Sequence, residues 1–205
     1  MTTSALRRLS AIAAFGLLAA CGGSSTKLEK LASGDAILAF GDSLTYGTGA
    51  DRTESYPAVL ERAIGRKVVN GGVPGETSEE GLRRLPQALE EARPRILVLC
   101  HGGNDFLRRM DESQARANIR SMIGLARDRG IAVVLLATPK PSLPPPVPTF
   151  YSELASELRV PFEEDSIRTV VVDNRLKSDM VHPNAQGYAR IAEAVKKVLG
   201  KAGAI

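Results

Sequence analysis

The 205-residue chain has no tryptophan, two cysteines, two histidines and few aromatic side chains. Five phenylalanines and four tyrosines are too few and too scattered to build stacking platforms for single-stranded nucleic acid. The cysteines exclude a disulfide framework, and the Cys and His spacings match no common metal site. A large charge of one sign is also missing: 27 Lys and Arg stand against 23 Asp and Glu, a net +4. Arg7 and Arg8 supply two of those positives, and no basic run exceeds a pair such as Lys196-Lys197. No nucleic-acid partner is therefore expected. The phosphate-binding Gly-x-x-x-x-Gly-Lys-Ser/Thr and the zinc-binding His-Glu-x-x-His are absent. A Gly-x-Ser-x-Gly nucleophile elbow fails because Thr45 fills its last position.

What is present is an ordinary soluble composition, 43% hydrophobic and 24% charged. The length suits one α/β domain and is short for two. Arg7 and Arg8 precede an uncharged stretch from Leu9 to Ala20, too short for a mature membrane span of roughly 20 residues. A basic start, an apolar run and small residues at its end form a secretory signal. The end, Leu18-Ala19-Ala20-Cys21-Gly22-Gly23-Ser24-Ser25, resembles a bacterial lipoprotein signal. That resemblance implies lipidation at Cys21. With Gly22 following, it also implies an outer-membrane anchor facing the periplasm. Residues 1–20 then read as a signal peptide, 21–34 as lipidated cysteine and flexible tether, and 35–205 as the domain. Cys100 closes the apolar run Ile96–Leu99 and reads as a small core residue.

Beyond the tether, apolar runs alternate with helical patterns. Runs at Ala36–Phe40, Lys67–Val69, Ile96–Leu99 and Ile131–Ala137 predict strands, and their lack of alternation predicts burial on both faces. Val170–Val172 is read as a fifth strand. Tyr56–Ile64, stopped by Gly65, reads as a helix, and Thr77 and Ser78 before Glu79-Glu80 read as a helix start. Ala115, Ile119, Met122, Ile123 and Ala126 share one helical face, as do Tyr188, Ile191, Ala192, Val195 and Leu199. The alternation predicts a three-layer α/β/α sandwich on a parallel sheet, with the site at the carboxyl ends of the strands. Thr138–Thr149 holds six prolines and cannot be helix or central strand. It is either a stiff surface loop or a wall of the substrate pocket.

Four polar clusters fall at predicted strand ends or before the last helix. They are Phe40-Gly41-Asp42-Ser43-Leu44-Thr45, Asn70–Thr77, His101-Gly102-Gly103-Asn104-Asp105 and Asp179-Met180-Val181-His182-Pro183. A serine hydroxyl needs a base to take its proton. His182 has Asp179 three residues upstream to orient it. His101 is the rival base and reads as a strand-end residue. Asp42 and Asp105 read as turn carboxylates accepting backbone N–H groups. Together, and in this order, the clusters resemble the four blocks of the SGNH hydrolases, also called GDSL esterases and lipases. Within them, the lysophospholipase/thioesterase/arylesterase branch is the nearest likeness. Glu76 stands where that family more often has Asp.

The resemblance implies a flavodoxin-like sheet of about five strands. It implies a cofactor-free serine esterase with Ser43, Asp179 and His182 catalytic. It assigns the oxyanion hole to the N–H groups of Ser43 and Gly75 and to the amide of Asn104. The expected partner is a small acyl ester or lysophospholipid. Alternatives on the same residues are a carbohydrate esterase or O-acyltransferase. A non-catalytic lipid- or glycan-binding lipoprotein is the reading from another class.

Overall fold

The computed structural model describes residues 26–205, so the proposed signal peptide and Cys21 lie outside the described residues. Five parallel strands, β1 (Ala36–Gly41), β2 (Lys67–Gly72), β3 (Ile96–Cys100), β4 (Ala132–Leu136) and β5 (Phe162–Glu163), lie in the order β2-β1-β3-β4-β5. This is the flavodoxin-like order, in which the chain reverses direction beside β1 and opens a crevice there. Eight helices accompany the sheet: α1 (Ser43–Tyr46), α2 (Tyr56–Ile64), α3 (Ser78–Ala92), α4 (Gly103–Leu107), α5 (Glu112–Arg127), α6 (Phe150–Leu158), α7 (Ser166–Val172) and α8 (Ala185–Lys201).

Strand residues alternate between two cores. Ile37 and Ala39 of β1, with Ile96, Val98 and Cys100 of β3, meet Leu60 of α2 and Ile191 and Val195 of α8. Leu38, Phe40, Leu97 and Leu99 face the opposite way, against Leu85 of α3, Ile119 of α5 and Leu154 of α6. Both faces are buried, so a period of two exists in space while the sequence shows unbroken apolar runs.

Two sequence expectations need correction. Val170–Val172 is the last turn of α7, not a strand. The fifth strand is Phe162–Glu163, only two residues long and just after Pro161. Ile167 and Val170 are buried three residues apart, a helical spacing that carries this β-branched stretch into the core as a helix. Glu163 also accepts the N–H of Ser166 at the helix start, at 3.1 Å. Residues 28–31, expected within the tether, are packed on the domain instead. Leu28 N–H donates to Ala202 (2.7 Å), Leu31 N–H donates to Ala204 (2.8 Å), and Leu31 is buried.

Candidate active site

The nucleophile candidate sits where β1 stops. Asp42 caps α1, accepting the N–H of Leu44 at 3.0 Å, and Ser43 is the first residue of that helix. Gly41 has no alternative: a Cβ there would lie 2.2 Å from the Cys100 carbonyl and 2.3 Å from Thr45 Oγ1. The missing side chain lets β1 turn sharply against β3 and present Ser43 to the crevice. Asp42 is buried, and desolvation raises its carboxyl above the ordinary aspartate value.

His182 reaches Ser43 from a distant segment. Its Nε2 is 3.0 Å from Ser43 Oγ, and its Nδ1 is 2.7 Å from Asp179 Oδ2. The other oxygen of Asp179 accepts the N–H groups of Val181 and His182, each at 2.8 Å. One carboxylate therefore folds its own loop and orients the imidazole. Partial burial pushes the Asp179 carboxyl up. The His182 ring and the two N–H donors outweigh that and hold it below the ordinary value. With Nδ1–H donating to this carboxylate, Nε2 is left to accept the Ser43 proton.

The candidate oxyanion donors come from two loops. Gly75, with φ +79°, follows β2. Among the described residues, neither its N–H nor that of Ser43 donates to a protein acceptor. Asn104 lies in α4 and lines the cleft with Ser43 and His182. Its Nδ2 donates to the Glu76 carbonyl at 3.0 Å and lies 3.3 Å from Asp42 Oδ2. Asp105 accepts the N–H and hydroxyl of Ser78, at 2.9 and 2.6 Å, joining α4 to the start of α3.

His101 is fully buried at the end of β3. Its Nε2 is 3.3 Å from Glu76 Oε2, and neither ring nitrogen completes a well-aligned hydrogen bond among the described residues. Glu76 also takes two 2.6 Å hydrogen bonds from Arg84, whose guanidinium covers the Phe40 ring and donates to the Gly71 carbonyl. Burial pushes the Glu76 carboxyl up, but Arg84 and His101 hold it below the ordinary value. The sequence did not reveal this buried group. Glu76, Arg84 and His101 lie on a loop, a helix and a strand end, and no single-element period joins them. The one available signal was the unusual glutamate at position 76.

Beside Ser43 lies a mostly apolar cavity of about 460 Å³. Leu107 of α4, Pro141 and Leu143 of the proline-rich segment, Ile167 and Val171 of α7, and Met180 line it. The proline-rich segment is thus a cavity wall.

Sequence and structure comparisons agree with this architecture. The profile of the GDSL-like Lipase/Acylhydrolase family matches residues 39–190. The chain belongs to that family. Esterase TesA of Pseudomonas aeruginosa is 32% identical over 184 residues, covering 82% of this chain and 89% of that protein. Thioesterase 1/protease 1/lysophospholipase L1 of Escherichia coli is 29% identical, covering 83% and 86%. The arylesterase of Vibrio mimicus is 30% identical, covering 80% and 88%. Among solved structures, the crystal structure of TesA superposes with a TM-score of 0.74 at 28% identity, covering 82% of this chain and 99% of that one. AlinE4, an SGNH-hydrolase family esterase, gives 0.61 at 29% identity, covering 84% and 98%. The fold is that of the SGNH hydrolases, and this family member is an ester-cleaving enzyme.

Proposed function

We propose that the chain hydrolyses carboxylic or thio esters through an acyl-enzyme on Ser43. The observation that carries this reading is the continuous line Ser43 Oγ–His182 Nε2–His182 Nδ1–Asp179, with links of 3.0 and 2.7 Å. Ser43 Oγ attacks the acyl carbon while Nε2 takes its proton. Asp179 stabilises the imidazolium that forms. The N–H groups of Ser43 and Gly75 and the Asn104 amide receive the developing oxyanion. The imidazolium returns its proton to the departing alcohol or thiol. Water, deprotonated by the same Nε2, then releases the acid and restores Ser43.

The cavity beside Ser43 supports an apolar acyl group as the part of substrate it holds. The relatives named esterase, thioesterase, lysophospholipase and arylesterase support the same class. A p-nitrophenyl ester series from acetate to decanoate tests it. Turnover should vanish in Ser43→Ala without loss of fold, and a fluorophosphonate probe should label the parent chain only. Hydrolysis no faster than the Ser43→Ala background overturns the proposal.

The enzyme is further proposed to sit at the bacterial envelope through a lipid on Cys21, on the strength of the Leu18–Cys21 box. Labelled palmitate should enter the parent chain and not Cys21→Ser. Equal labelling of both would refute the anchor.

A further inference from the structure

The two edges of the sheet differ in charge. Ser43, Asn104 and His182 lie at the carboxyl edge. At the opposite edge, the segments that lead into the strands are basic. Arg66 and Lys67 introduce β2, Arg93 and Arg95 introduce β3, Arg127 and Arg129 introduce β4, and Arg159 introduces β5. Lys27 and Lys30 in the leading segment and Lys201 at the end of α8 join them. Between the helix ends and the strands the acids are Glu29, Asp35 and Asp128, with Glu90, Glu91 and Glu157 in the last turns of α3 and α6. Of the ten cations, only Arg95 has an ion-pair partner among the described residues, Glu29. The remainder of the described chain carries more acids than bases, so near-neutrality conceals a polarised molecule.

Helix dipoles do not account for this. Helices α2, α3, α5, α6 and α8 all finish at this edge, and a carboxyl-terminal cation beside each would stabilise it. That uses about half of the set. The described chain also begins among these cations. Thr26 shares a shallow depression with Lys27, Lys30, Arg95, Arg127 and Arg159.

We propose that this basic edge docks on an anionic bilayer, with the catalytic cleft pointing away from it. The docking rests on the charge pattern, and its consequence for catalysis rests on the esterase reading above. Each cation near an anionic leaflet favours binding roughly fivefold. Residues 22–26, fully extended, span at most about 18 Å. The length of β1 alone places Ser43 roughly 20 Å from the basic edge. A lipid at Cys21 therefore favours the basic edge, and not the cleft, as the face held on the leaflet. The exposed Leu143 and Met180 at the cleft mouth then face the aqueous side. Esters reach the enzyme from solution or from a facing surface, not from the leaflet beneath it.

The test uses the full chain with vesicles of phosphatidylcholine alone or mixed with phosphatidylglycerol. Binding should favour the anionic vesicles at least tenfold and lose that preference in 0.5 M salt. Lys30→Glu/Lys67→Glu/Arg129→Glu should lose it too, while hydrolysing p-nitrophenyl acetate at the parent rate. Cys21→Ser should keep the preference, which separates docking from the anchor. Because the chain has no tryptophan, one introduced indole reports orientation. Brominated phosphatidylglycerol should quench Ala32→Trp and leave Leu143→Trp bright. Equal binding to both vesicle types, or stronger quenching of Leu143→Trp, overturns the proposal.

Discussion

At the scale of single residues, the site depends on groups that never touch substrate. The Asn104 amide is held by the carbonyl of Glu76, and the Glu76 side chain is held by Arg84 beside His101. Asn104→Ala should lower kcat roughly 10²–10³-fold, as loss of an oxyanion donor does elsewhere. A near-parental kcat would remove Asn104 from that role. Glu76→Gln keeps the shape and loses the charge that Arg84 neutralises, so it should lower kcat more than it raises KM. An unchanged kcat would show that the ion pair does not position Asn104.

Protonation acts at the same scale. The Asp179 carboxyl stays ionised to lower pH than an ordinary aspartate. It therefore keeps orienting His182 as pH falls. Asp179→Asn should lower kcat/KM, because the amide cannot stabilise the imidazolium. An unchanged kcat/KM in Asp179→Asn would show that the carboxylate does not orient His182. Glu76 contributes in the same direction. Its folded carboxyl also lies below the ordinary value. The stability it supplies is complete above the unfolded value and is lost as pH falls through the depressed one.

At the scale of elements, α3 shows how local sequence places the oxyanion loop. Thr77 Oγ1 faces the N–H of Glu80, and the Glu80 carboxylate accepts the N–H of Thr77 at 2.8 Å. This reciprocal cap fixes where the Gly75–Glu76 turn ends. Thr77→Ala should destabilise the fold by about 1 kcal/mol, read as a lower urea midpoint at unchanged slope. No change in midpoint would mean that the cap is redundant. Such caps were legible in the sequence because their partners are three residues apart. The first four strands were legible for a similar reason: each is an apolar run bounded by polar clusters. The fifth was not, because two residues carry no pattern and the valines of α7 imitate a strand. The meeting of Ser43 with His182, 139 residues away, was legible only through the order of the four blocks. The Glu76–Arg84–His101 group had no such guide, since tertiary packing alone assembles it.

At the scale of the whole molecule, the two ends of the described chain are clasped. Leu28 and Leu31 pair their backbones with Ala202 and Ala204, and Leu31 packs into the core that holds α2 and α8. The clasp lies on the edge remote from Ser43, and it fixes where the preceding residues leave the domain. It also ties the start of β1 to the end of α8, closing one face of the sandwich. Leu31→Ala removes a buried side chain from that seam and should destabilise the fold by about 2–4 kcal/mol. Hydrolysis of p-nitrophenyl acetate well below the unfolding transition should be unchanged, because Leu31 packs in the core at the edge opposite Ser43 and touches none of the site residues. Urea denaturation followed beside initial rates separates the two effects. A fall in kcat that precedes unfolding would show that the termini and the catalytic edge are coupled, and that the sheet does not insulate one from the other.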